Sequence, residues 1–444
     1  MGSVWKPELL APAKNLERLK VAVRYGADAV YLGGQRYGLR ARADNFTEAE
    51  IAQGVEYAHQ HGVKVYVTLN AFLHDEDFAG FEDFCRFLSS IQTDAVIVSD
   101  IGVIQRIKQC CDLSIHLSTQ ASCLNQYAAL VWKSLGVERL VVGREVSIEE
   151  AGSIGQSADI EIEMFVHGAM CMAYSGHCTI SNFTAGRDSN RGGCLQSCRF
   201  PYKLEAAPSA QTADAHSLRT REGLPIASFM SSKDLLGIEQ IKAFFAQRIC
   251  SLKIEGRMKS SFYVATTCKV YRQMIDAYAA GEWSPALLVE ARKELEAIPH
   301  RTYTSGSLEE AAGEDSVYDP LTEGSDDTHR YIGMVIENTP AHYIVRLSTP
   351  LAVGDIIEWM PFTKPPIPWR VPQLFTVLGE PCPSMRQDSV VCIPKDPLLG
   401  DIERLTILRM PQPSPPEHSE HFEHSEHSEH SEFTKLTDTT ENIR

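Results

Sequence analysis

Residues 47–69 read TEAEIAQGVEYAHQHGVKVYVTL, a helical segment that leads at once into a short run rich in β-branched residues. The apolar positions of residues 47–61 recur at helical spacing, whereas residues 63–69 are typical of a buried strand. Units of this kind repeat along the first 260 residues. Repeated alternation of helix and strand predicts an α/β protein with a parallel sheet.

Eight such strand-like runs can be counted, at residues 8–11, 29–33, 63–69, 95–99, 114–118, 140–144, 160–166 and 251–255. Eight strands with helices between them predict a (β/α)8 barrel, whose catalytic groups stand at the C-terminal ends of the strands. A doubly wound open sheet is the alternative. The stretch between the seventh and eighth strands is too long for one crossover, so residues 168–228 are predicted to be an insertion.

The whole chain is predicted to have four parts. Residues 1–304 form the barrel-like domain with its insertion, and residues 305–328 form an acidic linker rich in Gly and Ser. Short alternating runs separated by Gly and Pro turns predict a small antiparallel β-barrel over residues 329–411. Residues 412–444 carry a His-Ser-Glu repeat with nothing to bury, which predicts a disordered tail.

The composition limits where in the cell the protein is expected and which partners it can bind. No apolar run approaches the roughly 18 residues of a membrane span, and the N-terminus lacks a signal-peptide layout, so we expect a cytoplasmic protein without a membrane partner. The net charge of −16 argues against nucleic acid. Residues 309–327 and 417–444 carry −8 and −6 of it, however, and the nearly neutral remainder has a local basic run. RNA remains an allowed partner, and DNA is not expected.

Four of the twelve cysteines lie close together in the predicted insertion: Cys171, Cys178, Cys194 and Cys198. In a reducing cytosol, clustered cysteines indicate metal or redox chemistry more than disulfides. Four thiolates suit either a tetrahedral zinc ion or a [4Fe–4S] cluster. Gaps of six, fifteen and three residues are unlike the paired knuckles of a zinc ribbon, which favours the cluster.

The residues around the cysteines resemble the U32 peptidase family. Residues 163–181 read EMFVHGAMCMAYSGHCTIS and match the family signature, and the similarity continues in SNRGGCLQSCRFPY (189–202), SSKDL (231–235), SLKIEGRMKS (251–260) and ELLAPAKN (8–15). The resemblance implies a barrel-like catalytic domain with a four-cysteine [4Fe–4S] cluster and O2-independent hydroxylation. Studied members act on tRNA, ribosomal RNA or ubiquinone precursors.

A barrel followed by one small β module resembles the branch that hydroxylates tRNA with prephenate. That branch places a hydroxyl group on C5 of the wobble uridine, so the resemblance implies tRNA as substrate and prephenate as hydroxyl donor. Several relatives act in pairs, which makes a homologous subunit a candidate partner. Some relatives take a fourth cluster ligand from just beyond the SSKDL-like segment, where this chain has no cysteine. Cys198 is therefore the predicted fourth ligand, with Cys250 in reserve.

A dianionic donor requires cations, and cationic side chains lie at the predicted strand ends. The predicted substrate-binding residues are Arg40, Arg42, Arg144, Lys233, Asp234 and Arg257. The cations Arg144, Lys253 and Arg257 have an alternative role as ion-pair partners of Glu145 and Glu255. Lys233 and Asp234 are predicted to open the helix after the insertion, with Asp234 in the N-terminal cap.

Acid–base or base-reading groups are predicted among residues near the ends of strands five, seven and eight. These candidate catalytic residues are His116, Gln120, Glu163, His167, Lys253 and Glu255. The alternative for each histidine is a structural hydrogen-bonding role, and for Glu163 it is an ion pair with a neighbouring cation.

Two other functions stay open at this point. The family name suggests a collagenase-type peptidase, but the chain contains neither HExxH nor GxSxG, and a thiol nucleophile would need a free cysteine of low pKa. A non-catalytic RNA-binding protein could use the cysteines for a structural metal site. The hydroxylase hypothesis predicts instead that a redox-responsive cluster lies beside a cationic cavity.

Overall fold

A computed structural model describes residues 5–39, 45–200, 230–313 and 327–412. These residues belong to one compact unit that ends at Gln412. Several predicted features lie outside the described residues: Arg40, Arg42, the second half of the insertion, the centre of the acidic linker and the His-Ser-Glu tail.

Eight parallel strands close into a barrel, as the sequence predicted. The first ten strands of the chain are β1 (Glu8–Pro12), β2 (Ala29–Gly33), β3 (Lys64–Leu69), β4 (Ala95–Val98), β5 (Ile115–Leu117), β6 (Arg139–Val141), β7 (Glu161–Ala169), β8 (Asp234–Leu236), β9 (Ser251–Ile254) and β10 (Tyr303–Thr304). Strands β1 to β7 follow each other around the sheet, and β9 pairs in parallel with both β7 and β1. This double pairing closes the sheet and excludes the doubly wound alternative.

In the described part of the chain, ten helices accompany the strands of the barrel domain, and seven of them begin at a residue whose side chain caps the helix. They are α1 (Leu16–Arg24), α2 (Glu48–Gln60), α3 (Phe81–Ser90), α4 (Ile101–Cys110), α5 (Gln126–Ser134), α6 (Ile148–Ala158), α7 (Ile180–Ala185), α8 (Ile241–Ala246), α9 (Ser261–Ala280) and α10 (Pro285–Leu295). At the start of α2, the Thr47 hydroxyl accepts a hydrogen bond from the Glu50 amide, and the Glu50 carboxylate accepts one from the Thr47 amide. This reciprocal capping satisfies two amides that the helix itself cannot.

The predicted helix start at Lys233 and Asp234 is wrong. Asp234 begins β8, which runs antiparallel to the end of β7 and parallel to β10. The Asp234 side chain is buried and accepts hydrogen bonds from the Arg301 guanidinium and the Arg301 amide, so it does not cap a helix. The predicted linker also starts later, because Ser307 and Leu308 are buried against the barrel.

The second part of the fold is an antiparallel sheet that curls into a half-barrel, which confirms the predicted fold class. Its main strands are ordered β15-β14-β20-β11-β12-β19-β16-β17, and two short strands, β13 and β18, pair beside it. Their bounds are β11 (His329–Asn338), β12 (His342–Leu347), β13 (Leu351–Ala352), β14 (Ile356–Met360), β15 (Ile367–Arg370), β16 (Leu374–Phe375), β17 (Pro381–Cys382), β18 (Ser384–Met385), β19 (Val390–Pro394) and β20 (Ile407–Pro411).

Buried polar contacts fix this sheet to the barrel. The Tyr25 hydroxyl on the barrel donates to the Met360 carbonyl oxygen at 2.7 Å and accepts from the Ile407 amide at 3.0 Å. The almost fully buried Arg409 donates to both carboxylate oxygens of Glu294 in α10. Buried hydrogen bonds of this kind tolerate little displacement, so we expect the two parts to move together. Among the described helices, none is long and apolar enough to cross a membrane.

Candidate active site

An open cavity of about 180 Å³ lies at the C-terminal end of the barrel strands. Its walls include side chains from or just after β2, β3, β4, β5, β6, β7 and β9, together with residues 169–199 of the insertion. The C-terminal face is where barrel enzymes build their active sites, because loops from many strands meet there. The position of the cavity therefore fits a substrate site.

All four clustered cysteines line this cavity. Cys171 is exposed, and Cys178, Cys194 and Cys198 are partly buried. Burial raises the pKa of the Cys198 thiol, Arg199 opposes that rise, and the other three cysteines raise the pKa further. The four thiols therefore share one cavity. Cys250 lies at the opposite end of the barrel, directly before β9, where its Sγ contacts the Ile162 carbonyl oxygen at 2.9 Å, so it cannot join them.

Cations also line the cavity, among them Arg144, Lys253 and Arg257. The Arg144 guanidinium stacks 3.8 Å from the ring centroid of Phe165, which helps to hold it in place. Arg257 reaches Thr68 Oγ1 at 3.4 Å. A Cβ atom on Gly33 would overlap the Arg257 guanidinium, so the bare backbone of β2 makes room for this side chain.

The third cation, Lys253, forms an ion pair with a carboxylate inside the barrel. Its Nζ donates to Glu163 Oε1 at 2.7 Å inside the barrel, so the predicted alternative of an ion pair for Glu163 is what the structure has. Glu163 is fully buried, and Arg139 lies 3.4 Å from its other carboxylate oxygen. Burial acts to raise the pKa of Glu163, but Lys253 and Arg139 outweigh it and hold the pKa below the usual value.

The ionic contacts continue away from the cavity. Arg139 also binds Glu8 at 2.7 Å, and Glu8 accepts a hydrogen bond from Tyr66 at 2.7 Å. Thus a layer of charged and polar side chains fills part of the barrel interior, where apolar residues are usual. We call Glu8, Tyr66, Arg139, Glu163 and Lys253 the interior ion layer.

This geometry agrees with the comparison to known proteins. The model of peptidase family U32 matches residues 14–317, which is more than half of the chain. The chain belongs to peptidase family U32. Several of its signature residues, among them Cys171 and Cys178, line the cavity.

Named relatives of this U32 chain fall into two groups. It is 46% identical over 333 residues to tRNA hydroxylation protein P1 of Bacillus subtilis, covering 74% of this chain and 77% of the relative. It is 33% identical over 402 residues to tRNA hydroxylation protein P of Haemophilus influenzae, covering 81% and 87%. A protein named collagenase from Porphyromonas gingivalis is 31% identical over 311 residues, covering 67% and 72%.

The glycines of the U32 signature serve close backbone approaches. Gly176, with a φ of +83°, lies against the Gln120 carbonyl group, where any Cβ would overlap that backbone. A left-handed φ is also unfavourable for other residues. Gly176 therefore lets the loop of Cys178 pack directly on the segment after β5. The position of Gly176 in the signature therefore allows a backbone contact between the insertion and the barrel.

The two predicted histidines lie away from the cavity of this U32 barrel. His116 is in β5 and packs 4.7 Å from the Tyr66 ring, within the barrel interior. His167 is fully buried among the rings of Tyr263, Tyr271 and Tyr303. Burial lowers the pKa of each histidine to about 3, so both are neutral at physiological pH. These contacts favour the structural alternative for both histidines.

Gln120 and Glu255 line the cavity. The Glu255 carboxylate accepts a hydrogen bond from the Tyr31 hydroxyl at 3.2 Å, and Lys253 forms an ion pair with Glu163. Lys233 and Asp234 do not line the cavity. The sequence reasoning missed Asn70, which is largely buried, follows β3 and lines the cavity. Its place directly after a buried strand was the available signal.

Proposed function

We propose that the protein is an iron–sulfur-dependent RNA hydroxylase that modifies C5 of the wobble uridine of tRNA without O2, using prephenate as the hydroxyl donor. The observation that carries the proposal is the shared cavity: four cysteines and three cations, Arg144, Lys253 and Arg257, line one space at the C-terminal face of the barrel. The names of the relatives from Bacillus subtilis and Haemophilus influenzae support tRNA as the substrate.

The cysteine set suits a multi-iron cluster. Within the described parts of the chain, no three His, Cys, Asp or Glu side chains converge closely enough to hold a single metal ion. In a [4Fe–4S] cluster each cysteine binds a different iron, so its ligands stand further apart than those of one zinc ion. All four thiols line one cavity, and this shared position is what supports the cluster. Cys171, Cys178, Cys194 and Cys198 would hold the cluster, which supplies electron transfer or Lewis acidity when bound.

The remaining residues bind and orient the reactants. Replacing the C5 hydrogen of uracil by a hydroxyl group removes two electrons from the base, so without O2 a donor must supply the oxygen and accept the electrons. Arg144 and Arg257 present guanidinium groups that suit the carboxylates of a dianionic donor. Lys253 adds a third positive charge on the cavity floor, held in position by Glu163. The Glu255 carboxylate, which accepts a hydrogen bond from Tyr31, lines the same cavity and would act as the proton acceptor.

The peptidase alternative has weaker support at this site. A cysteine nucleophile needs a lowered pKa, whereas burial raises the pKa of Cys198. Because one relative is named collagenase, peptidase activity should be assayed directly. Peptide hydrolysis by metal-free protein, retained in a Cys194→Ala variant, would favour the peptidase over the hydroxylase.

The decisive experiment measures iron, acid-labile sulfide and modified nucleosides. Protein purified without oxygen is expected to contain about four irons per chain, and Cys194→Ala is expected to lose them. Cys392→Ala, in β19 of the half-barrel, is the matched control and should keep its iron. Complementation of a deletion strain, followed by mass spectrometry of nucleosides from separated tRNA and ribosomal RNA, tests the substrate. Zinc in place of iron, or an unchanged nucleoside profile, would refute the proposal.

A further inference from the structure

Three exposed aromatic side chains lie on the cysteine insertion, close in sequence to residues that line the cavity. Phe183 in α7 is 95% exposed, Tyr174 is 54% exposed and Phe200 is 48% exposed. Each lies within three residues of a side chain that lines the cavity. Side chains so open to water contribute little to packing of the fold, so three of them in one cavity-lining segment suggest a binding surface.

The charge of this surface differs from that of the whole chain. Residues 170–200 contain three arginines and one aspartate, a side-chain charge of +2 in a chain of −16. The aspartate, Asp188, accepts a hydrogen bond from the Asn190 amide, so it is occupied within its own loop. Arg191 is anchored to the Phe72 carbonyl oxygen and to Asp77. Aromatic rings interleaved with arginines are typical of surfaces that bind single-stranded nucleic acid.

Two residues that line the cavity, Asn70 and Gln120, each carry a buried side-chain oxygen without a described donor. Asn70 is 91% buried; its Nδ2 donates to Ser118 Oγ at 3.1 Å, and its Oδ1 has no donor among the described residues. The Oε1 atom of Gln120 is likewise buried without a described donor. A buried acceptor without a partner costs free energy, so these two oxygens suit a ligand that brings N–H groups.

We propose that the cavity and its rim bind an unpaired RNA segment, one base of which enters the cavity. Asn70 and Gln120 then accept hydrogen bonds from the polar edge of the inserted base, while Tyr174, Phe183 and Phe200 stack on its neighbours. Enzymes that modify a base inside a nucleic acid draw it out of the stack in this way. This inference rests on the proposed function only in taking RNA as the partner, and it adds how the RNA is held.

Fluorescence anisotropy tests the rim with an RNA stem–loop that carries an unpaired uridine, and with the same RNA annealed to its complement. The stem–loop should bind and the duplex should bind much more weakly. Phe183→Ala and Tyr174→Ala should each weaken stem–loop binding about 5-fold or more, the usual effect of one lost stacking partner. Trp283→Ala is the matched control, because this 41% exposed residue follows α9 at the opposite end of the barrel.

A second pair of measurements tests the interior acceptors. Methylation of uracil N3 removes the N–H group that Asn70 Oδ1 would accept. Wild-type protein should bind the uridine loop at least about 5-fold more tightly than the 3-methyluridine loop, and Asn70→Ala should bind both equally. Equal affinity of wild-type protein for the two loops would overturn the base-insertion part of the inference.

Combined with an assay of tRNA hydroxylation, these measurements distinguish failure of the RNA-binding surface from failure of the proposed hydroxylase activity. Unchanged binding and unchanged tRNA hydroxylation in a Tyr174→Ala, Phe183→Ala double variant would refute the surface while leaving the proposed function intact. Ring-dependent binding of the stem–loop with no hydroxylated nucleoside in cells would do the reverse. No binding of the stem–loop by iron-loaded wild-type protein would overturn the surface for RNA and favour a protein partner.

Discussion

Replacing Glu163 by Gln tests whether the interior ion layer holds the barrel together. The variant keeps the size of the side chain but removes the carboxylate that pairs with Lys253, whose side chain is more than 90% buried. Arg139 keeps its contacts with Glu8 and Glu161, so the expected loss comes mainly from Lys253. At an effective dielectric constant of about 20, Coulomb's law gives roughly 6 kcal/mol for charges 2.7 Å apart. The desolvation of the carboxylate offsets part of this, so we expect a loss of about 3–5 kcal/mol in the free energy of unfolding.

Equilibrium unfolding in urea, monitored by tryptophan fluorescence and circular dichroism, measures this loss. Glu161→Gln is the matched control on the same strand, because Glu161 also pairs with Arg139 but its side chain is 57% exposed. An exposed pair of this kind contributes at most about 1 kcal/mol. A Glu163→Gln variant no less stable than Glu161→Gln would show that the layer does not depend on the buried charge.

The same comparison has a predictable pH dependence. The pKa of Glu163 is lower in the folded protein than its value of about 4.3 in an unfolded chain. The carboxylate therefore stabilises the folded state fully above the unfolded pKa, and its contribution disappears as the pH falls through the folded pKa. The difference in stability between wild type and Glu163→Gln should be constant from about pH 6 to 8 and shrink below about pH 4. A difference that grows on acidification would contradict this sign.

Three further predictions concern the cavity. Gly33→Ala should displace the Arg257 guanidinium and weaken binding of a dicarboxylate donor by about 10-fold or more in calorimetry. Gly313→Ala should leave this binding unchanged, because a Cβ added at Gly313 would meet nothing within 4 Å. Cys198→Ala should lower the iron content of anaerobically purified protein, whereas Cys250→Ala should leave it unchanged; iron loss in both would contradict the placement of Cys250. Removal of iron by a chelator should make the cysteine insertion sensitive to limited proteolysis while the barrel stays resistant, because metal binding and local folding are coupled.

The barrel was predictable because each of its eight strands is a short, β-branched run followed by a clear helical pattern. Six of the described strands were missed, namely β8, β10, β13, β15, β17 and β18, and local reasons are evident for three of them. β8 and β10 are only three and two residues long and pair outside the barrel, so they leave no periodic signal. β15 contains Pro368, which argues against a strand, but β15 is an edge strand that pairs with β14 alone, where a missing amide is tolerated.

The cysteines and cations of the candidate site could be identified from the sequence. Which strand residues face the cavity and which are buried below it could not. A sequence shows that His116 lies on a strand next to polar residues, and it does not show which strand residues face the cavity and which fill the barrel below it. The burial of His116 depends on Tyr66 and Arg139, which come from other strands. The error at Asp234 has the same origin, because its partner Arg301 lies 67 residues away. Contacts between distant segments decide such roles.

Lys253 connects the stability of the barrel with the chemistry of the site. It belongs to the interior ion layer through Glu163 and to the cavity wall through its ammonium group, which lies 4.6 Å from the Tyr31 ring centroid. Burying charges in a barrel is costly unless they are paired, and an apolar filling would serve stability as well. An apolar residue could not, however, present a fixed cation to an anionic reactant. The cost of the ion layer is therefore best explained by the need to hold Lys253 at one position on the cavity floor.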